Sequence, residues 1–269
     1  MSFFDSISRG EMALADWMSF AAELGLDGVE CSPVLVQPRG QATPAEFRRL
    51  AEANGLAVSS FTCYSDFTQP DPAAREGEVG AMLQNLRTAR ELGAATIRAL
   101  AGQARPEVDE ARGVAWVVEA IRRVAEEADR LGLRVVIENH TKAFVWTYFD
   151  FAMRGEVFLR ILEGLRGTSV GVQFDTANPL VADEDALDLF ERVRGLVAYV
   201  HVNDVRRTGA FEFVPVGTGI TPIGEVLARL RRQGYDGWLS IEEASRTGKA
   251  GFRQAVAFTR AAWEAAGRG

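Results

Sequence analysis

Several things are scarce in this chain, and each scarcity narrows what it can be. Among 269 residues there are two histidines and two cysteines. Cys31 and Cys63 form no CxxC pair and fall near the ends of apolar strand-like runs, which points to reduced thiols and an expected cytoplasmic location rather than a disulfide scaffold. Basic residues number 30 against 37 acidic ones, for a net charge of −7 and a pI near 5.1. A nucleic-acid binder usually carries a basic balance or a basic stripe, and neither is present. The arginine pairs Arg48-Arg49, Arg122-Arg123 and Arg231-Arg232 lie on the polar faces of amphipathic segments and read as solvated surface. No apolar run approaches the ~20 residues of a membrane span. Residues 1–10 lack the basic and apolar regions of a signal peptide. Neither GxGxxG nor GxxxxGK[ST] follows any strand-like run, which argues against a doubly wound nucleotide-binding sheet.

What is present is a regular alternation. At 47% hydrophobic, the chain can bury a sizeable core. Strand-like runs at 28–31, 57–63, 95–100, 134–140, 170–178, 196–204 and 238–243 alternate with helical periodicity at 13–24, 44–54, 75–92, 108–131, 157–165, 184–193, 223–233 and 251–266. Residues 2–8 are taken as a first strand, making eight strand–helix units. Glycines follow several of the helices, as at Gly25, Gly55, Gly93 and Gly132. Strands alternating with helices predict a parallel sheet. Eight units with no linker predict one α/β domain over residues 1–269, a (β/α)8 TIM barrel, with a doubly wound open sheet as the alternative.

Four of these runs end alike. Residues 196–204 read Leu-Val-Ala-Tyr-Val-His-Val-Asn-Asp, a short β-branched run that ends in His201 and two polar side chains. The run at 134–140 ends in Glu138, Asn139 and His140. Asp175 and Asn178 close the run at 170–178, and Glu242 and Glu243 close the run at 238–243. The spacings from Glu138 to Asp175, His201 and Glu242 are 37, 26 and 41 residues in turn, each about one strand–helix–strand unit. In a barrel, the carboxyl ends of the strands converge on one mouth, where active sites lie. Three carboxylates and one imidazole suit a single divalent ion. Mn²⁺ or Mg²⁺ is favoured by the oxygen-rich set, with Co²⁺ and Zn²⁺ as alternatives.

The runs Ile137-Glu138-Asn139-His140, Phe174-Asp175-Thr176-Ala177-Asn178, His201-Val202-Asn203-Asp204 and Ser240-Ile241-Glu242 resemble the xylose-isomerase-like TIM-barrel superfamily. This sugar phosphate isomerase/epimerase group includes tagatose 3-epimerase, hydroxypyruvate isomerase, inosose dehydratase and endonuclease IV. The resemblance covers nearly the whole chain. It implies that Glu138, Asp175, His201 and Glu242 bind one divalent metal. It also implies that Glu138 and Glu242 act as the acid/base pair of a small-sugar or keto-polyol isomerase or epimerase, through an enediolate. Arg207, six residues past the ligand histidine, is implied as a contact to substrate oxygens. Where the epimerases place a substrate-binding histidine, this chain has Asn178, which can hydrogen-bond a hydroxyl but cannot shuttle a proton near neutral pH. That departure keeps a lyase, a dehydratase or decarboxylase on the same metal site, as the second reading. A non-catalytic sugar-binding protein is a third. An endonuclease IV-type metal cluster needs several more histidines than His140 and His201 provide.

His140 is expected in the pocket wall or behind the ligands. Glu30 and Arg98 are charges inside buried strands and need partners, with each other as one option. The segment 141–155 is dense in aromatics: Phe144, Trp146, Tyr148, Phe149 and Phe151. As a long loop after a barrel strand it is expected to cover the site, with Trp146 against substrate; a subunit interface is the alternative. The expected partner is a small-molecule carbohydrate, with no nucleic acid and no membrane, and the expected assembly is a homodimer or homotetramer.

Overall fold

The computed structural model describes residues 2–267, so the two extreme ends of the expected domain lie outside it. The first element corrects the sequence reading: residues 2–8 are not a strand but helix α1 (Ser2–Ser8). Phe3 and Ile7 lie four residues apart, on one side of a helix, and both are buried. The Phe3 ring stacks on Phe252 with centroids 4.9 Å apart and planes 16° apart. Seven residues give too short a window for periodicity to separate a helix from a strand, and this packing settles it. Seven strands rather than eight are therefore found among the described residues, following one another in the sheet in sequence order.

The chain divides into two compact units, one of residues 6–171 and one of the residues up to 5 with those from 172 onward. The first contains strands β1 (Gly28–Cys31), β2 (Ala57–Thr62), β3 (Thr96–Ala99) and β4 (Arg134–Glu138). Each pairs in parallel with the next. Around them run α2 (Leu14–Glu23), α3 (Pro44–Ala53), α4 (Pro72–Leu92), α5 (Glu110–Leu131) and α6 (Gly155–Gly164). Local sequence sets the helix ends. At α5, the Asp109 carboxylate accepts from the backbone N–H of Arg112, and Gly132 ends the helix at φ 68°. Residues Val117, Ile121, Val124 and Ala128 of α5 repeat at helical spacing and are buried. Residues 135–138 of β4 are all buried, as expected of a parallel strand covered on both faces.

The second unit contains β5 (Gly171–Asp175), β6 (Val197–Val202) and β7 (Trp238–Ile241), with β5–β6 and β6–β7 also parallel. Its helices are α7 (Asn178–Val181), α8 (Ala186–Val193), α9 (Ile223–Arg232) and α10 (Lys249–Ala266). Phe174 of β5 meets Phe190 of α8 edge-on at 5.2 Å, with both rings buried. Burying such a ring is worth roughly 1.5–3 kcal/mol. Sequential parallel strands with helical crossovers are the topology of a (β/α) barrel. No helix among the described residues is long and apolar enough to cross a membrane.

Candidate metal centre

Strand register builds three of the expected ligands within the second unit. Asp175 is the last residue of β5 and lies opposite His201 of β6. His201 lies opposite Ser240 and Val202 opposite Ile241, so Glu242 follows directly at the end of β7. Each ligand is then held in place. The Asp175 Oδ1 accepts from the backbone N–H groups of Ala177 at 2.8 Å and Asn178 at 2.7 Å, so the turn into α7 aims the carboxylate. His201 Nδ1 lies 2.7 Å from Glu242 Oε2. The Thr176 hydroxyl donates to the Asn203 carbonyl at 2.8 Å and accepts from the Asn203 N–H at 3.0 Å, tying together the loops after β5 and β6.

The glycine-containing loop after β6 is organised by a residue to which sequence reasoning assigned no role. The Asp204 carboxylate accepts from the backbone N–H groups of Val205, Gly217, Gly219 and Thr221 at 2.8–3.1 Å. A Cβ on Gly219 would stand 2.2 Å from the Val205 carbonyl oxygen and 2.3 Å from Asp204 Oδ1, so only glycine fits there. Arg207 stands on this loop, exposed, with its Nη2 2.6 Å from Glu212 Oε1. Asn178 is buried where α7 begins.

In the first unit, Glu138 ends β4 and is buried. Its Oε2 lies 2.6 Å from Nη1 of Arg98, whose side chain is buried too. The same guanidinium donates to the Cys63 carbonyl and lies over the Tyr64 ring, 4.6 Å from its centroid. Arg98 thus serves the expected ligand Glu138, while Glu30 accepts from the Thr62 hydroxyl at 2.7 Å. The sequence marked Arg98 as a buried charge in need of a partner but could not name which one. Both cysteines are free and buried, and burial pushes both thiols well above their usual range.

His140 follows Glu138 by two residues. Its Nδ1 lies 3.1 Å from Asp150 Oδ2, and its ring meets Trp146 edge-on at 5.8 Å. Burial raises the Asp150 carboxyl above its usual range, against the opposing effect of the His140 contact. Trp146 packs with Leu100, Ala143 and Tyr64. The aromatic loop divides: Trp146 and Phe151 are buried, while Phe144, Tyr148 and Phe149 are exposed. Its base is clamped. Gln103 Oε1 accepts from the N–H groups of Thr147 at 2.9 Å and Tyr148 at 3.2 Å. The N–H of Phe151 donates to the Gly102 carbonyl, and the N–H of Ala104 to the Phe149 carbonyl. Gln103 itself donates through its backbone N–H and its Nε2 to Asp66, which Arg105 grips with both terminal nitrogens. Burial raises the Asp66 carboxyl, and the hydrogen bonds from Arg105 and Gln103 outweigh it, leaving Asp66 below the usual range. Nothing in the sequence pattern pointed to this Asp66–Arg105–Gln103 cluster, because its members are distant from the strand-end ligands along the chain.

Glu138, Asp175, His201 and Glu242 each offer one ligand atom, and these four atoms lie within 4.8 Å of one another. Three carboxylates this close repel one another, and taking them out of water costs more unless a cation compensates. The donor set therefore fits one divalent ion.

Comparison with known proteins agrees with this architecture. Residues 18–262 match the model of the xylose isomerase-like TIM barrel family, and the chain belongs to that family. An inosose dehydratase from Lacticaseibacillus casei is 23% identical over 146 residues, which cover 48% of this chain and 47% of that protein. The chain thus spans about half the length of the curated relative it matches. Two solved structures share the fold. A probable 3-DHS dehydratase from Bacillus anthracis has a TM-score of 0.76 at 17% identity, covering 95% of this chain and 97% of that one. An L-ribulose 3-epimerase has a TM-score of 0.77 at 18% identity, covering 95% and 90%. The same fold thus carries a probable dehydratase and an epimerase among these solved structures.

Proposed function

We propose that this protein is a divalent-metal-dependent isomerase or epimerase of a small sugar, sugar phosphate or keto-polyol, working by proton abstraction next to a carbonyl. The observation that carries the reading is the gathering of Glu138, Asp175, His201 and Glu242 ligand atoms within 4.8 Å. These four side chains would hold the ion, with Mn²⁺ or Mg²⁺ favoured by the three carboxylates. When bound, the ion supplies Lewis-acid polarisation of a carbonyl and its neighbouring hydroxyl, which acidifies the adjacent C–H.

The chain's own residues supply the rest. One of Glu138 and Glu242 takes the carbon-bound proton onto a carboxylate oxygen, and the other returns a proton to the resulting enediol. Arg98 holds Glu138 by its 2.6 Å ion pair, and His201 contacts Glu242 at 2.7 Å, so both glutamates are oriented before substrate arrives. Asn178 hydrogen-bonds a substrate hydroxyl, Trp146 with His140 forms wall, and Arg207 exchanges its Glu212 partner for substrate oxygens. The family model runs through both compact units, which supports a single catalytic domain.

A lyase acting on a keto-polyol or related keto acid is the second reading, favoured by the His140–Asp150 contact two residues past Glu138. In that case His140 handles the proton of the leaving group. A screen of ketoses and keto-polyols in D₂O with NMR detection separates the two. Deuterium at one carbon with an isomeric product supports the first reading, and loss of water or carbon dioxide supports the second. No exchange and no turnover across the screen, with metal bound, would sink both.

A further inference from the structure

The aromatic loop after β4 presents part of itself to solvent. Trp146 and Phe151 are buried, whereas Val145 is 85% exposed, Phe144 67%, Phe149 47% and Tyr148 38%. The N–H of Trp146 donates to the Ala143 carbonyl at 3.1 Å, so Phe144 and Val145 fill the two central positions of a turn. Such positions ordinarily carry glycine, proline, asparagine, aspartate or serine. Large apolar side chains gain nothing from the turn itself, and contiguous exposed apolar groups mark a surface that something covers.

The backbone beneath them is pinned. Gln103 Oε1 accepts from the N–H groups of Thr147 and Tyr148. The N–H of Ala104 donates to the Phe149 carbonyl, and the N–H of Asp150 to the Thr141 carbonyl at 2.7 Å. A loop held at this many points offers its outer side chains as a rigid surface, and less ordering entropy is lost when a partner docks on it.

We propose that this turn is the centre of a two-fold interface with a second copy of this chain. Composition and charge select that occupant. Residues 143–149 read Ala-Phe-Val-Trp-Thr-Tyr-Phe, with no charge among them. Interfaces between identical subunits are more apolar than those with transient partners, and interface centres are rich in aromatics and poor in charge. Each copy has a net charge of −7, so two copies repel over much of their surface and meet at least cost where charge is absent. A two-fold axis sets the same patch on both sides, so the apolar turn faces its own equivalent. Lys142, with its Nζ 5.4 Å over the Phe149 ring, supplies a polar edge. Trp146, buried against Leu100 and Tyr64, keeps the role of pocket wall given above.

Sedimentation velocity of the full chain over a range of concentrations tests the proposal. The parent should sediment as a dimer at micromolar concentration. Val145→Glu sets two carboxylates at the contact, Phe144→Ser removes a ring from it, and each should raise the dissociation constant about 30-fold or more. A tetrameric parent should fall to dimers in the same variants. Both side chains are exposed in the single chain, so the circular dichroism of each variant should match the parent. Phe211 is exposed elsewhere, on the loop after β6, and Phe211→Ser should leave the assembly intact. A parent that is monomeric at about 100 µM overturns the proposal. Parent-strength association of both Val145→Glu and Phe144→Ser overturns it too, as does dissociation by Phe211→Ser alone.

Discussion

Arg98 Nη1 lies 2.6 Å from Glu138 Oε2, with both side chains buried, so one carboxylate of the candidate centre carries a permanent counter-charge. Removing one member of a buried pair leaves the other charge uncompensated and typically costs about 3–5 kcal/mol. Arg98→Met should lower the urea midpoint of the metal-free protein accordingly. Saturating Mn²⁺ should recover part of the loss, because the ion replaces the missing positive charge beside Glu138. A deficit of the same size with and without Mn²⁺ would mean that Glu138 does not meet the ion.

His201→Ala should abolish stoichiometric metal binding while the circular dichroism spectrum keeps its parent shape. The imidazole is the single nitrogen donor in the four-residue group. Undiminished metal by elemental analysis would exclude His201 as a ligand.

Glu138→Gln and Glu242→Gln keep shape and an oxygen donor but remove the base. Each should slow exchange of the substrate's carbon-bound proton with solvent by about 10²- to 10⁴-fold, more than it weakens substrate binding. Parent exchange rates in both variants, with metal retained, would transfer the role of base to His140.

Arg207→Ala should raise KM with little change in metal content, since the guanidinium is exposed and meets Glu212 rather than a ligand. Unchanged kinetic constants on the true substrate would mark it as a solvated loop charge.

The clamp on the aromatic loop should be visible without substrate. The Thr147 and Tyr148 amides should be protected from hydrogen exchange in the parent and exchange at least about tenfold faster in Gln103→Met, since ~1.4 kcal/mol of lost hydrogen bonding is a tenfold change. Acid should release the same loop. Asp66 has a folded-state pKa below its ordinary value, so its contribution is present above that value, near 3.9, and fades as pH falls through the lower folded pKa. Protection of the two amides that disappeared already near pH 6 would show that Asp66 does not carry the clamp.

Much of this molecule could be read from pattern. The buried runs at 135–138 of β4 and along β5 and the glycine after α5 mark their elements by residue type alone. The group Glu138, Asp175, His201 and Glu242 was legible because a barrel places strand ends together and each of the four lies at or within one residue of a strand's end. Helix α1 was misread because seven residues with two adjacent phenylalanines suit either period. Arg98 was legible as a buried charge but not as the partner of Glu138, forty residues away.

The amino-acid order by itself determined the alternation of strands and helices and the residue types at each strand end, since local periodicity and side-chain chemistry are properties of neighbours along the chain. Tertiary structure alone decided the rest. It turned the Gln173 amide against His201, tied Asp66 to Arg105 and Gln103 beneath the Trp146 loop, and set four backbone N–H groups around Asp204. Those contacts join residues with no shared period, and hydrogen-bond geometry exists only once packing has brought the groups within about 3 Å.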